Sequence, residues 1–187
     1  AVTLREVIYS LEDSINVKIF SHSLGAVTAT TALMNTHIKL QNSKVVNSNK
    51  ELPGINFDLK KLMDSIKIPY NNKITVFLNA PAMPGVTTFV DLDENKCQWF
   101  KFIVGYNTAD EMVGKKGIIP SAPHINNATT LGSNYDGEIN KTKRLFECKG
   151  LGGQFIAQPS GEQSDHDILA YYLQPQFVEL MKMFFAE

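Results

Sequence analysis

The chain has 187 residues, 43% of them hydrophobic, and 18 Lys and Arg against 19 Asp and Glu give it a net charge of −1. That is enough apolar material for one domain with a proper core, and near-neutral charge without a basic cluster argues against a nucleic-acid partner or an acidic membrane surface. No apolar run approaches the ~20 residues that span a bilayer. Two cysteines imply no disulfide framework, so Cys97 and Cys148 read as buried free thiols, and no compartment follows.

In chain order, Leu4, Val7, Ile8, Leu11 and Ile15 recur at helical spacing and predict an amphipathic helix. Residues 17–20 (Val-Lys-Ile-Phe) are β-type and apolar, and a small-residue helix follows from residue 27 to about 34 or 37. Residues 39–56, rich in Asn, Ser and Lys and ending in Pro53-Gly54, read as a surface loop. Residues 57–66 offer another helix, with Leu59, Leu62, Met63 and Ile66 on one face. A strand over 73–80 is stopped by Pro81, Pro84 and Gly85. A third strand over 99–106 is the clearest, being aromatic and β-branched. Residues 114–143 read as a long loop, either a lid or disordered, and 144–148 with 154–158 as a last strand or hairpin. A helix from about Asp167, broken at Pro175, closes the chain. Alternating strands and helices predict one α/β domain over 1–187 with a largely parallel sheet.

The run Val17-Lys-Ile-Phe-Ser-His-Ser-Leu-Gly-Ala26 places a serine on a tight turn between strand and helix. Such a turn lifts the Ser23 hydroxyl out of the sheet and aims the Leu24 N–H at a developing oxyanion. Strand and helix backbones approach closely there, so Ser21, Gly25 and Ala26 suit the turn, Gly25 most strictly because it lacks a Cβ. The short pattern is common by chance; the apolar strand before it and the unbroken helix after it carry the reading. A flavodoxin-like turn is disfavoured, since no phosphate-cradling glycine pattern follows Phe20.

A serine hydroxyl needs a base, and the base an orienting acid. Of the four histidines, His22 leaves the turn in another direction and reads as a packed or locally bonded residue. His37 suits the negative end of the helix after the turn. His124 lies in the long loop and rivals His166, which is placed best, in a polar loop just before the final helix. For the acid, Asp110 follows the third strand at the sheet edge where α/β sites assemble, with Glu111 as its substitute. Asp165 or Asp167 reads as a cap of the final helix, and Asp91 and Asp93 as a solvated turn. Met83, Met112, Val113, Ile118 and Ile119 lie near this edge, as an apolar cleft or as ordinary packing.

The segment from Ser21 to Ala26 with its small-residue helix resembles the elbow of α/β-hydrolases, especially the class 3 lipase-like branch. Val76-Phe-Leu-Asn-Ala-Pro-Ala-Met-Pro-Gly85 is similar to the segment that follows the elbow there. Asn107-Thr-Ala-Asp-Glu-Met-Val113 resembles the aspartate turn, and Asp165-His-Asp-Ile-Leu-Ala-Tyr-Tyr172 the histidine loop with its tyrosine. The resemblance implies a serine hydrolase acting on carboxylic esters, of lipids or other acyl groups. Ser23 would be nucleophile, His166 base, Asp110 its orienting acid and Leu24 N–H an oxyanion donor, and no metal or organic cofactor is required. That family takes a second oxyanion donor from a loop before the elbow. The chain therefore reads as the C-terminal portion of the full fold, its sheet completed by a separate N-terminal segment or chain. A non-catalytic binding protein on the same fold, and an acyltransferase or peptidase with the same triad, are the rival readings.

Overall fold

A computed structural model describes residues 4, 7–8, 15–33, 73–90, 92, 100–113 and 130–186. The predictions that fall elsewhere lie outside the described residues: the loop at 39–56, the helix at 57–66, His37, Asp91, Asp93, Cys97, Ile118, Ile119 and His124. Four strands, β1 (Val17–His22), β2 (Ile74–Asn79), β3 (Phe100–Tyr106) and β4 (Phe155–Pro159), pair in the order β1-β2-β3-β4, and every pairing is parallel. The helices are α1 (Gly25–Leu33), α2 (Gly85–Phe89), α3 (Glu138–Cys148), α4 (Ile168–Tyr172) and α5 (Pro175–Ala186). Leu4, Val7 and Ile8 are helical, as their spacing predicts, but Ile15 is not: it lies in the irregular lead into β1, and Leu11 falls outside the described residues.

Parallel strands covered on both faces should be continuously apolar, and all six residues of β2 are buried. Their side chains alternate between two cores. Ile74, Val76 and Leu78, with Phe100, Phe102 and Val104, face a cluster with α1, α2 and α3, while Phe77 and Ile103 face a second cluster with α4 and α5. Sequential parallel neighbours joined by right-handed crossovers carry their connections on one face. That accounts for α1, α2 and α3 sharing a side and leaves the opposite side to the last two helices. Aromatic rings fill both layers: Phe89 meets Phe102 and Phe146 at 5.0 and 5.2 Å, and Phe77 meets Phe177 at 5.7 Å.

Sequence expectations fail around α3. The segment read as a loop through residue 143 contains the start of α3, and residues 144–148 are helical rather than a strand or hairpin. The buried face of α3 is Glu138, Ile139, Thr142 and Phe146, so two polar residues interrupt the apolar period that would have revealed it. Glu138 is buried because its carboxylate accepts from the Gly85 and Val86 N–H groups at 2.8 and 3.0 Å, capping α2 from a neighbouring helix. Cys148 is a free thiol but exposed rather than buried, on the last turn of α3. The closing helix divides as predicted, into α4 and an α5 that begins at Pro175.

Candidate active site

All four strands deliver their C-terminal ends to one edge. At the end of β1, Ser23 takes a left-handed conformation with φ 54°, strained for a residue with a Cβ and typical of a site where the surroundings over-determine the backbone. Those surroundings are visible: the Ser23 N–H donates to Asn79 O at 3.0 Å, and the Ser23 carbonyl accepts from Ala26 and Ala82 N–H at 3.1 and 3.2 Å. The expected strict need for Gly25 is not met. A Cβ there would lie 3.7 Å from the Ser21 Cβ, an ordinary contact, because Ser21 is itself small. The strain sits on the serine instead, and the buried small residue of the turn is Ala26.

Asp110 ends the turn after β3, and His166 ends the loop after β4. The Ser23 hydroxyl donates to His166 Nε2 at 2.6 Å, and His166 Nδ1 donates to Asp110 Oδ2 at 2.7 Å. This direction follows from Asp110, whose ionised carboxylate can only accept. Its Oδ1 accepts from the Met112 and Val113 N–H groups at 2.9 and 3.3 Å, and Oδ2 accepts a second bond, from the Tyr171 hydroxyl at 2.6 Å. Burial alone pushes the Asp110 carboxyl up, yet the bonds from His166 and Tyr171 outweigh it and hold the group below its ordinary value. The phenol of Tyr171 moves the other way: burial and the Asp110 charge raise it far above its usual range, so it stays a donor.

Ser23, Asp110 and His166 are thus brought together in hydrogen-bond contact. Glu111 is not part of the set; it is exposed, and its N–H donates to Ser164 O at 3.4 Å. Asp167 caps α4 by accepting from Leu169 N–H at 2.9 Å, the role expected of one of that pair, while Asp165 accepts from Asp167 N–H at 2.9 Å in the loop before the helix. Met83 and Val113 are core residues, whereas Met112 is exposed. Leu24 follows the serine in the turn and is half exposed.

The sequence reading missed the residues that hold Ser23, Asp110 and His166 in place. Asn107 is nearly inaccessible and ties three segments: its Nδ2 donates to Gln163 O at 2.6 Å, its Oδ1 accepts from Ala109 N–H at 2.9 Å, and its N–H donates to Gly132 O at 2.7 Å. Asn opening a turn is a local signal that could have been read. Tyr171 carries none beyond its place shortly after the histidine. Because it donates to a carboxylate inside the protein, Tyr171→Phe is expected to lower unfolding free energy by about 1.5–3 kcal/mol in urea titrations. In that variant Asp110 loses one of the two bonds that aim its Oδ2.

Among the described residues no group of three His, Cys, Asp or Glu could hold a metal ion, and no helix is long and apolar enough to cross a membrane. A cleft of about 330 Å³ lies at the opposite edge of the sheet, at the strand N-termini, lined by Lys18, Lys73 and Lys101 among others; it does not touch the triad. Comparison with known protein families, curated proteins and solved structures finds no match for this chain.

Proposed function

We propose that this chain is a serine hydrolase that cleaves carboxylic esters with apolar acyl groups through an acyl-enzyme. The observation that carries the reading is the continuous relay from Ser23 through His166 to Asp110, with both bonds under 3 Å and the acid fully enclosed. A surface serine after an ordinary strand–turn–helix would have no reason to meet a histidine from a loop 143 positions away. The all-parallel sheet is compatible with the α/β-hydrolase resemblance, and a strained serine between β1 and α1 supports it further.

In the proposed reaction His166 Nε2 accepts the Ser23 proton as Oγ bonds to the acyl carbon, and the carbonyl electrons move to oxygen. The Leu24 N–H is the donor assigned to that oxyanion. His166 passes its proton to the departing alkoxide, leaving the acyl-enzyme. Water then repeats the sequence, giving its proton to His166 and releasing acid and free serine. Asp110 stabilises the imidazolium formed in each half. Leu24, Met112 and Leu169 stand exposed within three residues of Ser23, Asp110 and His166, which favours an apolar acyl group over a charged one.

Labelling with a fluorophosphonate, located by peptide mass spectrometry, tests the reading. The expected result is adduct on Ser23, absent in Ser23→Ala, with hydrolysis of a p-nitrophenyl ester series lost in the same variant. A folded protein that neither labels nor hydrolyses any ester would instead be a binding protein on this scaffold.

A further inference from the structure

His22 lies one residue before the proposed nucleophile, yet its ring is turned toward the base. His22 Nε2 meets the backbone carbonyl of His166 at 2.8 Å, and Asn79 Nδ2 meets His22 Nδ1 at 3.1 Å. An amide NH2 can only donate, so Nδ1 must present its lone pair; the ring proton is then on Nε2 and donates to His166 O. The two imidazoles lie 4.7 Å apart, and the Tyr171 ring meets His22 at 5.5 Å. His22 is therefore bonded to the main chain of the base rather than to its ring.

We propose that His22 is a positioning residue for His166, clamping its backbone so that Nε2 stays on the Ser23 hydroxyl, and that it does so only while neutral. This rests on the serine-hydrolase reading above. The ring of His166 is anchored at Nδ1 by Asp110, but a side-chain anchor alone lets the loop carrying residue 166 shift. A misplacement of ~1 Å at a reacting group can cost about 10²-fold in rate. A proton added to His22 would sit on Nδ1, donor against donor with Asn79 Nδ2. It would also place a positive charge beside the imidazolium that His166 must become.

The titratable groups around the ring are His166, Asp110 and Tyr171. Burial and the neighbouring His166 disfavour the His22 cation, while the bond to His166 O, the Asp110 charge and the backbone carbonyl of Asn79 favour it, and the net direction is down. A neutral His22 thus persists below the ordinary histidine range and is lost only as acidity increases further.

Two substitutions separate the edges of the ring. The Gln amide nitrogen replaces Nε2 and keeps the bond to His166 O without titrating; Asn replaces the Nδ1 edge and leaves that carbonyl without its donor. With a p-nitrophenyl ester, His22→Asn is expected to lower kcat about 100-fold at unchanged KM, and His22→Gln to restore it to within about tenfold of wild type. At low pH wild-type kcat should fall by more than tenfold per pH unit, because two imidazoles must both be neutral, and the Gln variant by about tenfold. Both variants are expected to melt cooperatively near the wild-type midpoint. Wild-type kcat in His22→Asn, or equal losses in Asn and Gln, would overturn the positioning role while fluorophosphonate still labels Ser23. A wild-type protein that labels nowhere and hydrolyses nothing would overturn the role together with the reading it rests on.

Discussion

Asp110→Asn is expected to reduce kcat about 10⁴-fold while leaving the fold intact. The direction follows from where the amide must point. Asp110 Oδ1 accepts from the Met112 and Val113 N–H groups, so the only acceptor oxygen of an asparagine is drawn there, and its NH2 takes the place of Oδ2. That NH2 faces His166 Nδ1, 2.7 Å away in the parent protein, and Tyr171 Oη at 2.6 Å. The phenol can rotate to accept; His166 Nδ1 can accept only by moving its proton to Nε2. The base would then present an N–H to Ser23, two donors would meet, and no proton could leave the serine. Kinetics on an ester that the parent protein hydrolyses would measure the loss. A kcat within tenfold of the parent would show that Asp110 does not set the tautomer.

The same carboxylate predicts an acid-stability signature. Its folded value lies below the ordinary one, so the native state binds fewer protons than the unfolded chain in between. The stabilisation is complete above the ordinary carboxylate range near ~3.9 and is lost as pH falls through the lowered folded value. Asparagine has no such titration. Urea midpoints followed downward from pH 5 should therefore decline less steeply in Asp110→Asn than in the parent.

Three parallel strands and the turn serine were legible because their signals are local: β-branched and aromatic runs, stops at Pro81 and Pro84, and a small-residue helix after Ser23. The meeting of Ser23, His166 and Asp110 was legible for a different reason. In a parallel sheet every strand ends on the same edge, so an acid after β3 and a histidine after β4 converge wherever the sheet is correctly read. What stayed hidden depends on pairing across the fold. Glu138 and Thr142 are polar yet buried; Glu138 is explained only by the N–H groups of α2 it accepts from, and Thr142 by its bond to Glu138 O at 2.8 Å. Residues 144–148 (Arg-Leu-Phe-Glu-Cys) are too few for periodicity alone to tell a strand from the end of a helix. Asn79, Asn107 and Tyr171 act by holding other residues, and no spacing in the chain announces which carbonyl or carboxylate each will meet.

Gly132 is such a residue, and Gly132→Ala is expected to destabilise the protein by about 3 kcal/mol or more. An added Cβ would lie 2.6 Å from the Ala80 carbonyl carbon and 2.9 Å from both the nitrogen and the oxygen of Pro81. All three are main-chain atoms, so no side chain can rotate aside. The backbone they belong to is also stiff, since Ala80 is held at φ 43° and a proline ring follows it. The two segments would have to separate. That would strain the bonds from Gly132 N–H to Pro81 O at 3.0 Å and from Leu131 N–H to Met83 O at 2.9 Å, and the one Gly132 O accepts from Asn107 N–H at 2.7 Å. The last of these leads to the site, because Asn107 opens the turn that carries Asp110, so turnover should fall even in the fraction that remains folded. Gly153→Ala is the matched control, since a Cβ there meets nothing within 4 Å, and its effect should stay within about 0.5 kcal/mol. Urea unfolding of both variants decides the matter: equal midpoints would mean that the close approach of residue 132 to the Ala80–Pro81 peptide is not a constraint on the fold.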